Sequence, residues 1–376
     1  MKIHIALVGG QPAPVYNGIV ATQPDKVVFI YSAESLKVVE AVKKEINVAI
    51  DEQNTLDTTN PQKILDRATS LAERYKDDEV TLNISSGLKS WSHLFGRVFD
   101  SLPNATVVYM DQNNILWDYR TMKSQSDFVF NMDAQFRLQG NELTHFTPFA
   151  DYTDEDKKCF DKVVAARNYN TGKFNKLTTL LSNEWDNMLQ NQKHGCFNIS
   201  STEYAEWEKP DFVRIVLSKK AGVNEFEITS PHAVSIAFNS GWFEYKVARM
   251  LSHWRYAKEI RLNCKFPDKK SHSVKFPKNE IDIIVNTGTK LLFVECKTKI
   301  KSSIDIDKFR TAVKNYGGLG SKALFVTDIA MDDLQKEKCR ESDIIMFSLQ
   351  DKTFGLNKEQ ELFKLLESEL FNINTK

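Results

Sequence analysis

Asn279-Glu280-Ile281-Asp282-Ile283-Ile284-Val285, then Asn286-Thr287-Gly288-Thr289, then Lys290-Leu291-Leu292-Phe293-Val294-Glu295-Cys296-Lys297 is the stretch whose reading decides the fold. Two apolar, β-branched runs flank a short turn containing glycine, the pattern of a β-hairpin. A turn centred on Thr287-Gly288 sets Asp282 opposite Phe293 and Glu280 opposite Glu295. Paired residues share a face with their i±2 neighbours. Asp282, Glu295 and Lys297 are therefore expected on one face, with Asp282 and Glu295 as diagonal neighbours able to share an ion. Acids and a lysine inside apolar strands are costly to bury without a compensating partner. A hard divalent cation, Mg²⁺ or Mn²⁺, takes carboxylate and carbonyl oxygens and would be that partner. The Lys297 ammonium beside it would orient a water and offset phosphate charge. The plainer alternative, a surface hairpin with solvated charges, fits poorly with charges set inside Val294-Glu295-Cys296-Lys297.

Asp282, the turn and Glu295-Cys296-Lys297 resemble the PD-(D/E)xK nuclease motif, with Ile281 standing where proline is usual. The resemblance implies a metal-dependent endonuclease with Asp282, Glu295 and Lys297 as catalytic residues. The implied ligands are Asp282, Glu295 and the Cys296 carbonyl, with Glu280 supporting them. That family often carries a further acidic ligand on its first helix, and Glu244 matches it by position.

Composition fits this reading without demanding it. The 376 residues leave room for two or three domains. Hydrophobic residues make up 41% and charged residues 27%, which is ordinary for a globular chain. No long apolar run suggests a membrane span, and Met1-Lys2-Ile3-His4-Ile5 reads as a strand and not a leader. Five scattered cysteines form no Cys-x-x-Cys pair, which argues against a zinc site or disulfide framework and for a reducing cytoplasm. With 50 basic and 50 acidic residues, any nucleic-acid contact must use a local patch.

Residues 1–127 alternate strand and helix. Ile3–Val8, Lys26–Tyr31, Val80–Ile84, Ala105–Met110 and Ile115–Tyr119 read as strands. Ser35–Ile46, a helix opened by Asn60-Pro61, and one striped by Leu88, Trp91, Phe95 and Phe99 separate them. The expected fold class is α/β: a parallel, Rossmann-like sheet with helices on both faces. Ligands of such sheets sit at the carboxyl ends of the strands. Those ends carry Gly9-Gly10-Gln11-Pro12, Ser32-Ala33-Glu34, Ser85-Ser86-Gly87-Leu88-Lys89 and Asp111-Gln112-Asn113. The Ser85–Lys89 junction suits an anion, and the dinucleotide fingerprint is missing, which disfavours NAD. Gly9-Gly10-Gln11 and Asn83-Ile84-Ser85-Ser86-Gly87-Leu88-Lys89 resemble the strand-end loops of CARF domains, the CRISPR-associated sensors of cyclic oligoadenylates. That resemblance implies an activator site at Gly9, Gly10, Gln11, Ser32, Ser85, Ser86, Gly87, Lys89 and Asp111.

Residues 128–230 read as a connector. Phe128–Leu138 and Glu142–Phe146 look like strands, Asp154–Ala166 and Phe174–Leu189 like helices, and Phe212–Leu217 with Glu225–Ile228 like a hairpin around Ala221-Gly222. Arg167, Lys173, Lys176 and Lys193 read as a solvated face, and His194 and His232 receive no role. Residues 231–376 run helix (from Gly241), strand (Lys258–Phe266), the motif hairpin, helix (Ile306–Tyr316), strand (Ala323–Thr327), helix (Asp332–Arg340), strand (Asp343–Ser348). That order resembles the restriction-endonuclease-like core.

A sensor followed by this nuclease resembles the ancillary nucleases of type III CRISPR systems. It implies a cytoplasmic homodimer that binds one cyclic oligoadenylate, cyclic tetra-adenylate first among them, and then cuts DNA, single-stranded RNA or both. Three other readings remain open at this point. They are a ligand-gated regulator without catalysis, a constitutive repair or restriction nuclease, and a sensor that degrades its own activator.

Overall fold

The computed structural model describes residues 1–56, 60–179, 183–220, 222–267, 279–300, 304–318 and 320–373. The amino-terminal part runs β1 (Lys2–Val8), α1 (Pro12–Thr22), β2 (Lys26–Tyr31), α2 (Leu36–Glu45), β3 (Ala49–Thr55), α3 (Pro61–Arg74), β4 (Glu79–Asn83), α4 (Lys89–Phe99), β5 (Ala105–Met110), β6 (Leu116–Asp118) and β7 (Lys123–Gln125). Its sheet has the order β3-β2-β1-β4-β5-β6-β7. The first five strands are parallel, as expected, and β6 and β7 extend the sheet antiparallel. The apolar runs of β1, β2 and β4 are buried because both sheet faces are covered. Helices α3 and α4 pack one face with Ile64, Leu71, Trp91 and Phe95, and α1 and α2 pack the other with Val15, Ile19, Val39 and Val42. The start of α3 follows its sequence signals: Asn60 caps it by accepting the Lys63 N–H at 3.1 Å, and Pro61 occupies the first turn.

The rest of the described chain runs α5 (Met132–Leu138), β8 (His145–Pro148), α6 (Asp154–Tyr169), α7 (Thr171–Thr178), α8 (Asn183–Asn191), β9 (His194–Ser200), β10 (Glu203–Glu208), β11 (Phe212–Lys219), β12 (Gly222–Thr229), α9 (Ala233–Ala237), α10 (Gly241–Ser252), β13 (Glu259–Phe266), β14 (Asn279–Asn286), β15 (Leu291–Lys297), α11 (Ile304–Tyr316), β16 (Ser321–Thr327), α12 (Asp333–Glu341), β17 (Ile344–Ser348) and α13 (Lys358–Phe371). Two sheets result. One is antiparallel, β12-β11-β10-β9; the other has the order β17-β16-β15-β14-β13-β8. In the latter, β13, β14 and β15 form a meander, followed by parallel β16 and β17.

Several expectations for residues 128–230 change. Phe128–Leu138 is not a strand: its second half is α5, capped where the Asn131 side chain accepts the Ala134 N–H at 3.0 Å. The strand expected over Glu142–Phe146 lies at His145–Pro148, antiparallel to β13. In place of one helix over Phe174–Leu189 there are α7 and α8; Leu180 and Leu181 lie outside the described residues, as does Ala221 of the expected hairpin turn. The segment is bound into a core and is not a loose spacer. Val163 of α6, Phe174 of α7, Trp207 of β10 and Ile215 of β11 share one buried cluster with Phe243 and Val247 of α10 and Leu292 and Val294 of β15. Arg167 and Lys173 leave the expected solvated face: Arg167 pairs with Asp328 at 3.0 Å and stacks on Trp242, and Lys173 pairs with Glu203. His232 has a partner after all, its Nδ1 lying 3.1 Å from the buried Asp156 carboxylate.

Candidate functional site

The motif hairpin forms, with one change of register. Its strands pair Ile283 with Val294, Ile284 with Phe293, Val285 with Leu292 and Asn286 with Leu291. Phe293 therefore faces Ile284 and not Asp282. The turn is the cause. Lys290 N–H donates to Thr287 Oγ1 at 3.0 Å, Thr287 N–H donates to the Lys290 carbonyl at 2.9 Å, and Gly288 adopts φ +88°. These bonds close the turn around Gly288-Thr289, one residue later than the sequence suggested. A displacement of two in pairing preserves side-chain parity, whereas a slip of one would have reversed the face. One step beyond the last pair, Asp282 stands across from Glu295. There Cys296 N–H donates to Asp282 Oδ2 at 2.7 Å. Glu280 is exposed, 3.7 Å from Lys265 of β13.

The expected trio converges. Lys297 Nζ lies 2.5 Å from Glu295 Oε1 and 3.7 Å from Asp282 Oδ2. Both carboxylate side chains are 13% exposed and Lys297 is 34% exposed, so the group sits at the mouth of the core and not on open surface. Lys297 is in register with Thr327, at the carboxyl ends of the parallel strands β15 and β16. Glu244 projects from the first turn of α10 into electrostatic range of Asp282.

Burial and crowding set the protonation of this group. Burial raises the Glu295 carboxyl to about 8, with the neighbouring Asp282 charge adding to it. Burial also raises Asp282, against the opposing pull of Lys297. Glu244 is held well above the usual carboxylate range by burial and then by Asp282. Burial pulls the Lys297 ammonium down, but Asp282 and Glu295 more than reverse this and hold it protonated. Among the described residues no three His, Cys, Asp or Glu side chains already stand in ion-chelating geometry; the positive charge between the carboxylates is here the lysine's own. The donor set nonetheless suits a hard divalent ion. Three carboxylates against one ammonium leave two excess negative charges when all are ionised, which a divalent cation would neutralise.

A stability prediction follows from these shifts. A carboxyl whose folded pKa is raised binds its proton more tightly than in the unfolded chain, so its ionisation destabilises the fold as pH rises. Glu244→Gln is expected to raise Tm in metal-free buffer at pH 8, on the order of 2–4 °C, the shift that about 1 kcal/mol gives in a unit of this size. The gain should shrink at pH 5, where Glu244 keeps its proton. Scanning calorimetry of both proteins at the two pH values checks it; an equal gain at both would remove the electrostatic cause.

On the amino-terminal sheet, Gly10, Gln11, Ser85, Ser86, Gly87 and Asp111 line one cavity of ≈ 340 Å³ at the strand carboxyl ends. Gly9 braces it from outside: its N–H donates to Ser86 Oγ at 3.0 Å, and a Cβ there would meet the Gly87 nitrogen at 2.7 Å. Gly87 also needs its φ of +80°. Ser32 is bonded instead to Ser35, and Lys89 is exposed at the start of α4. Two of the expected contacts are partly committed to the fold. Ser85 Oγ accepts the Met110 N–H and donates to Asn83, and Asp111 accepts from the Asn113 and Ile115 N–H groups and the Trp117 indole. The sequence reading placed Gln112 at a strand end without making it a site residue and missed the amides Asn114, Gln135 and Gln139; all four line the cavity together with Leu291 and Gly318. The polar run that continues from Asp111-Gln112-Asn113 carries a local hint of Asn114; nothing local announces Gln135 or Gln139.

No protein-family model matches the sequence, and no curated protein matches it. Solved structures do match, over nearly the whole chain. Can2 from Sulfobacillus thermosulfidooxidans, in complex with cyclic tetra-adenylate, aligns at a TM-score of 0.63 and 15% identity, covering 98% of this chain and 99% of that chain. Protein VC1899 from Vibrio cholerae aligns at 0.67 and 16%, covering 97% and 96%. A type III CRISPR defence DNA nuclease activated by cyclic oligoadenylate aligns at 0.58 and 15%, covering 97% of this chain and 51% of that one. The chain therefore has the fold of these proteins from end to end, as the resemblance of its motifs implied. No helix among the described residues is long and apolar enough to cross a membrane.

Proposed function

We propose that this protein is a metal-dependent endonuclease switched on by a cyclic oligoadenylate, cyclic tetra-adenylate first, and that it acts in type III CRISPR defence. The observation that carries the reading is the convergence of Asp282, Glu295 and Lys297, partly buried, on a fold whose solved relatives include a DNA nuclease activated by such a ligand. Residues 1–127 are the sensor and 231–376 the nuclease, with 128–230 packed largely onto the latter and α5 touching both. The amide-lined cavity supports an adenylate ligand, because Asn and Gln side chains offer the paired donor and acceptor that an adenine edge requires. One copy of this chain spans about half of the longer CRISPR nuclease, the length relation expected if two copies act together as a homodimer.

Asp282, Glu295, Glu244 and the Cys296 carbonyl would hold Mg²⁺ or Mn²⁺. When bound, the ion polarises the scissile phosphate and lowers the pKa of a water. The chain's own residues do the rest. Cys296 N–H fixes the Asp282 carboxylate so that it does not have to reorganise. Glu295 holds Lys297 in place, and the protonated Lys297 donates to the phosphate oxygen as charge develops there.

The test is calorimetric titration with each cyclic oligoadenylate, followed by incubation with labelled single- and double-stranded DNA and RNA in Mg²⁺ or Mn²⁺. One cyclic tetra-adenylate per dimer with ligand-dependent cutting is the expected result. Binding without cutting would favour a ligand-gated regulator, cutting without ligand a constitutive nuclease, and loss of the ring a self-limiting sensor.

A further inference from the structure

Asn17 of α1 is fully buried in the middle of a chain of side-chain amides. Gln135 Nε2 of α5 donates to Asn17 Oδ1 at 2.8 Å, and Asn17 Nδ2 donates to Asn114 Oδ1 at 2.7 Å. Asn114, in the turn between β5 and β6, then donates from Nδ2 to the Thr289 carbonyl at 2.5 Å. Thr289 belongs to the turn that joins β14 to β15, two residues before the catalytic strand begins. Every step runs in the same sense, donor to acceptor, so rotating any one amide strips a partner from its neighbour. Asn114 and Gln135 are each 8% exposed, and amides so buried are costly to leave unpaired and polarise one another. Asn114 also sits at φ 56°, a left-handed conformation that asparagine tolerates, which aims its side chain across the gap. Asn114 and Gln135 line the strand-end cavity, whereas Asn17 does not.

We propose that this amide chain couples occupancy of the cavity to the catalytic hairpin. A ligand that bonds Asn114 or Gln135 draws an amide out of the chain, and the Thr289 carbonyl, which positions the start of β15, loses its donor. The proposal rests on reading the cavity as the activator's. It adds the route by which the activator acts, and it names Asn17, Asn114 and Gln135 as positioning residues that touch neither metal nor substrate.

Asn17→Leu in the full-length protein is the test, because it breaks the chain without altering the cavity lining. Cyclic tetra-adenylate should bind within about threefold of wild type, while the ratio of cleavage rates with and without it falls on the order of tenfold, within the range of ordinary coupling factors. A purely structural role would lower both rates together and leave that ratio unchanged, which would overturn the proposal. Asn17→Asp, which keeps the acceptor and loses the donor, serves if the leucine variant does not fold. Hydrogen exchange gives a readout that needs no ligand. Amides of residues 287–291 should exchange faster in either variant, and unchanged exchange would overturn the coupling even if cyclic tetra-adenylate proved not to be the activator.

Discussion

Asp282→Asn and Glu295→Gln are each expected to abolish nearly all activator-dependent cleavage while leaving activator binding intact, because neither side chain lines the strand-end cavity. Lys297→Ala should cut poorly as well, for a different reason: it removes the group that meets developing charge and no ligand. Losing one such preorganised interaction commonly costs ~3–4 kcal/mol, a rate loss on the order of a hundred- to a thousand-fold. Metal titrations separate the roles. Raising the metal concentration should partly rescue Asp282→Asn and leave Lys297→Ala unchanged. Near wild-type rates for both carboxylate variants would end the nuclease assignment.

The second large effect is on stability. Arg261 of β13 is 6% exposed, donates to both Asp133 oxygens from Nη1 at 2.5 Å and Nη2 at 2.9 Å, donates to Glu259 at 2.7 Å and lies over the Phe146 ring. It ties α5 to the sheet that carries the motif hairpin. Breaking a buried ion pair by removing one partner costs about 3–5 kcal/mol. Asp133 and Glu259 are themselves about two-fifths exposed, so solvent screens part of the charge and the lower end applies. Arg261→Met, which keeps the apolar stem, should lower Tm by roughly 6–12 °C, taking ~3 kcal/mol at ~2–4 °C per kcal/mol. Thermal melts check it, and a shift under 2 °C would show that the guanidinium bonds contribute little.

How far the sequence could be read depended on where each signal came from. The shared face of Asp282, Glu295 and Lys297 was legible because parity in a hairpin survives a pairing error of two. The register was not, because it depends on which side chains bond inside the turn, here Thr287 to Lys290 and Asn286 to Gly288. Phe128–Leu138 misled for a related reason. Phe128, Phe130, Met132, Ala134, Phe136 and Leu138 alternate like a strand. Yet α5 is wedged between two bodies, with Met132 and Phe136 in one core and Ala134 and Leu138 in another. A helix apolar on opposite sides loses its 3.6 period. Helix α1 was hidden by Pro12, Pro14 and Gly18. Both prolines fall where a first turn has no N–H bonds to lose, and Gly18 is required because a Cβ there would lie 2.2 Å from Asn83 Nδ2. The cavity's amides come from positions as much as 175 residues from their partners, a separation that no local pattern encodes.

The central claim is that the sheet carrying Asp282, Glu295 and Lys297 cuts nucleic acid under the control of the sheet carrying the strand-end cavity. It is tested most directly by the cleavage rate of wild-type protein on labelled DNA and RNA in Mg²⁺ or Mn²⁺, with and without saturating cyclic tetra-adenylate, beside Asp282→Asn. The account predicts cutting that appears only with the ligand and vanishes in the variant; equal cutting with and without the ligand, or undiminished cutting by Asp282→Asn, would contradict it.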